Sequence, residues 1–567
     1  MSDARKLLNA LGSVDEKFIE EADEPVQLRR RRPDWKVWGG CAAAAIALAV
    51  GIGAMSGGIR TKTAMDTAAM ASVKEFSYTN TADMQDAVTL TAATAEEPAE
   101  CNMEESASMD NITESAAVTE NMTEELTGAE LTLASLDNSA YLSKCASNGL
   151  SAGGPEYPET QLNPDAAFNM EDPNCDYNAY SMARNDYYEQ KSMRCEDTKG
   201  YEIPLKAFTE TTAKEFLAGQ EDNAVYSPLN VYMALSMLAE LTEGESRQQI
   251  LDLLQLENID AVREEARKLW LANYTDDGMT TLLLGSGAWI SDDLSFNQEA
   301  LEALVDKYYA FYVVGDMGSE EMGQSFRDWL SEQTMGLLDD FISQEKFDPE
   351  TVMALASTIY YKAHWQDVFR EAETKDSVFH GKDGDQTVPF MNEKRSGYVK
   401  WGDDFTAVGK SMAGEQTMYF ILPDEGSSVD DVLAGDQFWA MLSDDEYENV
   451  RYGCIVTMSI PKFDVSSGTD LIDGLKRLGV RNVFDPAVSD FKPLTPNDDV
   501  FVGKINHNAR VKIDEEGVEA SAYTAMLLCG ASMPTDYVDF ICDRPFIFAI
   551  KNYDGAVLFM GTVNSIK

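Results

Sequence analysis

From Gly517 the chain alternates in two faces, as a half-buried strand or a segment able to join a sheet would. Val518, Ala520, Ala522, Thr524, Met526 and Leu528 fall on one face of an extended segment, and all are small or apolar. Glu519, Ser521, Tyr523 and Ala525 fall on the other. Successive strand residues point to opposite faces, so such a segment can bury its first face, either as an ordinary half-buried strand or on joining a sheet. The inward face carries no charge to strand in an apolar interior and no proline to break a ladder. Gly517 supplies backbone freedom where the segment leaves the acidic turn Asp514-Glu515-Glu516.

Other chemistries find little support. The chain has only three histidines, His364, His380 and His507. A serine hydrolase would want G-x-S-x-G with a histidine partner, and Gly409-Lys410-Ser411 is only half of that motif. The eight cysteines are scattered with no C-x-x-C pair, which argues against a zinc site. No metal or cofactor is expected. With 98 acidic against 45 basic residues the net charge is −53, which repels nucleic acid and favours a soluble monomer.

The elements that would position the alternating segment lie in the last part of the chain. From about residue 201 to 567 the composition is globular and α+β. Ser227-Pro228 followed by Val231, Leu235, Leu238 and Leu241 predicts a capped amphipathic helix, with a second helix over Ser246–Leu256. Apolar runs at Thr280–Ile290, Thr351–Tyr361, Thr417–Leu422 and Ile455–Ile460 predict buried strands. Asp554-Gly555 predicts a turn between two closing strands.

The first 200 residues read differently. Residues 1–37 are charged and end in Arg29, Arg30, Arg31, Arg32 and Lys36, and the apolar run Trp38–Ile59 follows. That run is long enough to span a hydrocarbon core of ~30 Å as a helix. The basic flank predicts a cytoplasmic N-terminus, a single-pass membrane anchor and an extracellular remainder. Residues 60–200 are poor in large apolar side chains and acidic, which predicts a disordered extracellular linker.

A family resemblance joins these pieces. Asn223-Ala224-Val225-Tyr226-Ser227-Pro228-Leu229-Asn230 comes first, followed by Ile359-Tyr360-Tyr361-Lys362-Ala363-His364-Trp365 and Phe390-Met391. Leu422-Pro423-Asp424, Pro461-Lys462-Phe463, His507-Asn508-Ala509, Asp514-Glu515-Glu516-Gly517 and Arg544-Pro545-Phe546 follow in order. Together they resemble the serpins, serine-protease inhibitors, over residues ~203–567, here in a membrane-anchored, bacterial-type setting. The resemblance implies three β-sheets, eight or nine helices and an exposed reactive loop at about Glu515 to Met533. It also implies suicide-substrate trapping: a protease cuts the loop, stays acylated on it, and is carried along as the loop enters the main sheet.

Counting from Gly517 in the family manner places the scissile bond at Ala531–Ser532, with Gly530 and Met533 as alternatives for the specificity residue. A small alanine implies elastase-like or subtilisin-like targets. The same resemblance assigns Ser227, Ser357 and His507 to a polar cluster where the main sheet opens. Two positions depart from the pattern: Val518 stands where the family has Thr or Ser, and Ser357 where it has Asn. They keep a second function open, that of a non-inhibitory surface binding protein or a protease-cleavage sensor.

Overall fold

The computed structural model describes residues 132–133, 138–158, 160–168, 175–339, 346–349, 351–443, 447–496, 500–503, 505–518 and 536–566. The membrane-anchor expectation at Trp38–Ile59 lies outside these residues. Among the described residues no helix is long and apolar enough to cross a membrane.

Ser227 and Pro228 start the element around which the fold is organised. The Ser227 hydroxyl accepts the backbone N–H of Asn230, and Pro228 occupies a first-turn position where its missing N–H costs nothing. The resulting helix, Pro228–Glu240, is buried on almost every side. A helix apolar all round belongs in a core, and this one packs against two large sheets.

One sheet has eight strands. Its path runs Phe463–Asp470, Asn506–Ile513, Gly517–Val518, Met353–His364, Thr280–Ser291, Ala310–Gly315 and Ser151–Gly153, with Thr275–Asp276 paired to the side. The two-residue strand Gly517–Val518 is the link between Asn506–Ile513 and Met353–His364. Val518 pairs with Ile513 on one side and Ala363 on the other, and Gly517 pairs with His364.

The other large sheet has nine strands. Three sheets were expected, but two large ones form because the 18-residue strand Gly384–Trp401 is shared. Its first part pairs with Lys375–Gly381, its long middle with Val450–Pro461, and its end with Phe405–Ser411. A register shift at Gly397/Tyr398 bends it. The third ladder is a two-stranded pair, Thr132–Leu133 with Thr160–Gln161. From Glu202 onward the described residues contain nine α-helices.

The expected disordered linker over 60–200 is corrected over its described residues from 138 onward. Ser139–Ser147 and Tyr177–Thr198 are helices, and Ser151–Gly153 pairs antiparallel with Ala310–Gly315. This short strand covers an edge that would otherwise offer unpaired backbone groups. A few aromatic anchors explain the order despite the polar composition. Tyr141 meets Phe311 edge-on at 5.6 Å, Tyr157 stacks on Trp270 at 5.3 Å, and the Tyr187 hydroxyl donates to Asp277 at 2.6 Å. All three tyrosines are buried. At Gly153 a Cβ would lie 2.5 Å from the Tyr312 ring, so only glycine lets the chain lie this close.

Candidate functional site

The segment expected to act as a hinge is built around an acidic turn. The Asp514 carboxylate accepts the backbone N–H groups of Glu516 at 2.9 Å and Gly517 at 3.2 Å. Asp514 N–H in turn donates to the Gly517 carbonyl at 3.0 Å. A tryptophan from the end of the neighbouring strand grips the turn from outside. The Trp365 indole N–H donates to the Asp514 carbonyl at 2.8 Å, and its backbone N–H donates to the Glu516 carbonyl at 2.9 Å. Phe369 N–H reaches the Glu515 carbonyl at 2.8 Å.

Glu515 is turned inward and is only 6% exposed. Lys462 forms an ion pair with its Oε2, and the Thr374 hydroxyl donates to its Oε1 at 2.7 Å. Burial alone would raise its pKa. The Lys462 and Thr374 hydrogen bonds outweigh that and hold the carboxyl below its ordinary value.

Beside this pair, Lys410 is buried under Trp365 and Phe369. Its ammonium lies 4.1 Å from the Phe369 ring centroid and 2.8 Å from the Glu393 carboxylate. Burial pushes its pKa down to about 8 against the pull of Glu393.

Gly517 and Val518 are both buried. A Cβ on Gly517 would lie 2.2 Å from the Ala363 carbonyl oxygen, so the hinge backbone lies directly on the strand. Val518 is 2% exposed, and its larger side chain is accommodated between Ile513 and Ala363. The residues expected to insert, Glu519, Ala520, Ser521, Ala522, Tyr523 and Thr524, and the expected scissile bond Ala531–Ser532, lie outside the described residues. The chain is described again at Asp536–Ile541, which pairs in parallel with Val450–Pro461.

The structure joins two members of the proposed opening cluster. Ser227 N–H donates to His507 Nε2 at 3.0 Å. His507 is fully enclosed, with Tyr226 edge-on at 5.4 Å, and burial pushes its pKa down to about 4. It is therefore neutral, and because Nε2 accepts, its proton sits on Nδ1. Ser357 is half-buried in Met353–His364, opposite Ser286.

Asn230 entered the sequence analysis only as the end of a motif; it is 2% exposed, and its side-chain amide nitrogen has no hydrogen-bond partner among the described residues. Sequence reasoning missed the roles of Lys462, Thr374, Lys410 and Glu393. Lys462 and Trp365 stood inside quoted motifs, but nothing in the sequence tied either of them to Glu515 or Asp514.

Residues 205–566 match the family model described as Serpin (serine protease inhibitor). The chain belongs to the serpin family. Serpin-ZX of Arabidopsis thaliana is 30% identical over 361 residues, covering 61% of this chain and 92% of its own length. An uncharacterized serpin-like protein of Thermococcus kodakarensis is 28% identical over 375 residues, covering 64% and 85%.

Among solved structures, the native state of the thermophilic serpin Tengpin superposes with a TM-score of 0.59 at 23% identity, covering 65% of this chain and 95% of its own. Arabidopsis AtSerpin1 in its native stressed conformation gives 0.56 at 28%, covering 64% and 98%. Serpins are generally protease inhibitors rather than enzymes, although some do not inhibit. The Asp514 turn, the Trp365 grip and the Glu515 pocket sit where the sequence places the expected hinge.

Proposed function

We propose that this serpin traps serine proteases as a suicide substrate, through cleavage near Ala531–Ser532 and entry of the cut loop into the eight-stranded sheet. The observation that carries this reading is the position of Val518. The first residue of the inward face already pairs with Ile513 and Ala363, the two strands between which a new strand would extend. Each later inward residue is small or apolar, so the ladder can propagate without burying a charge. Among the described residues no ladder joins Met353–His364 directly to Asn506–Ile513 below the hinge.

Ala531 would fit a shallow apolar specificity pocket, which makes elastase-like and subtilisin-like proteases the targets. Trp38–Ile59 would anchor the chain in the cell membrane as a single pass, with the N-terminus in the cytoplasm and the inhibitor domain outside. The full chain in detergent, mixed with each protease class, tests the reading on a denaturing gel. A band that survives denaturation at the combined mass supports trapping. Cleavage without such a band favours the binding-protein or cleavage-sensor reading.

A further inference from the structure

The two strands that would flank an entering strand belong to different blocks of the eight-stranded sheet. Met353–His364 pairs with Thr280–Ser291, and Asn506–Ile513 pairs with Phe463–Asp470. Among the described residues only Gly517–Val518 pairs with both blocks. A strand that extended this pair would hold its two neighbours about 9.5 Å apart, twice the spacing of paired strands. Any contact that bridges the blocks therefore bears on how easily a strand enters.

Arg510 makes such a contact. Ala509, Val511 and Ile513 are buried in the core, so Arg510 projects from the opposite face of its strand. Its Nε and Nη2 donate to the Asp464 carboxylate on the neighbouring strand, both at 2.7 Å. That bidentate pair lies within one block. Its Nη1 donates to the Leu337 carbonyl at 2.9 Å, and Leu337 belongs to the other block.

Leu337 is held there by the helix Glu320–Gln333, which packs across Thr280–Ser291 and Met353–His364. The Trp289 indole N–H donates to the Ser325 hydroxyl at 3.1 Å, and its ring meets Trp329 edge-on at 5.1 Å. At the end of the helix Gln333 rests on Gly285, where a Cβ would lie 2.9 Å from its Oε1. Met335 at φ +50° and Gly336 at φ +76° then end the helix, and Gly336 N–H closes it on the Ser331 carbonyl at 2.8 Å. The carbonyl that Arg510 holds comes next in the chain.

We infer that Arg510 straps the two blocks of the sheet together across the line of strand entry, and that release of its bond to Leu337 limits the rate at which a strand enters. The inference rests on the insertion reading proposed above. It adds a residue that sets how fast the sheet opens, outside both the loop and the acidic turn.

The probe is a labelled synthetic peptide with the sequence of residues 517–528, and its uptake by the full chain in detergent is followed on native gels. The parent chain should take up the peptide slowly, and R510M at least fivefold faster. R510K keeps one donor for Leu337 and loses the fork to Asp464, so it should fall between them. D464N removes the pair within one block and should change the rate less than twofold. Urea midpoints of the peptide-free chains separate a strap from general loosening, because R510M and D464N lose the same ion pair and should be lowered alike. Equal acceleration by R510M and D464N, or uptake by the parent at a rate that R510M does not raise, would overturn the strap alone. No uptake by any of these chains would overturn it together with the insertion reading.

Discussion

Glu515 and Lys462 close an ion pair beside the Asp514 turn, with the carboxylate buried and the Lys462 side chain about one-third exposed. The asymmetry decides what each substitution should do. Glu515→Gln leaves Lys462 free to rehydrate, so the loss should stay near 1–2 kcal/mol. Lys462→Met leaves a buried carboxylate without its counter-ion and should cost more, on the order of 3 kcal/mol. Urea unfolding midpoints of the two variants check the order.

The same carboxyl sets a pH dependence. Its folded pKa is lowered, so its contribution is present above the unfolded value and is lost as pH falls through the folded one. Glu515→Gln should therefore flatten the acid limb of a stability-versus-pH curve, while leaving its shape near neutral pH unchanged.

Gly517→Ala should push the hinge off its strand, because the added methyl collides with the Ala363 backbone rather than with a movable side chain. Hydrogen exchange at the Val518 and Ala363 amides should speed up at least tenfold. Global secondary structure should stay as it is.

His507 makes a second acid-sensitive contact. Its pKa falls from an ordinary 6.5 to about 4 on folding, so the unfolded chain binds the proton first. Stability should fall as pH drops from about 6.5 to about 4, by roughly 3 kcal/mol in all. His507→Gln should remove most of that slope between pH 6.5 and 4, even if it lowers stability at neutral pH.

Tyr157→Ala should show that the segment before residue 200 belongs to the folded unit. Tyr157 is 5% exposed and stacks on Trp270 and Tyr274, so its removal should cost about 3–5 kcal/mol. A melting temperature unchanged from that of the parent chain would contradict the docking described here.

What could be read from the sequence follows the range of the interactions involved. Local signals were strong where residues near in sequence do the work. Ser227-Pro228 opens a helix, and Asp554-Gly555 makes the turn between Phe546–Lys551 and Val557–Val563. The second helix, expected over Ser246–Leu256, runs Gly244–Leu254 and opens on Gly244 at φ +60°, because it almost abuts Pro228–Glu240. The segment before residue 200 misled composition, since three buried tyrosines fix it against a partner surface that lies far along the chain. The pairing of Glu515 with Lys462, and of Lys410 with Glu393, depends on sheet register and leaves no mark on either residue's neighbours in sequence.

The central claim is that this chain is cut at Ala531–Ser532 and keeps its protease. Intact-mass measurement under denaturing conditions, after mixing the full chain with an elastase-like or subtilisin-like enzyme, tests it most directly. The expected result is one species whose mass equals the protease plus residues 1–531 less one water, with a released peptide beginning at Ser532. A peptide beginning at Ser532 alongside free protease and a free fragment ending at Ala531, with no joined species, would contradict it.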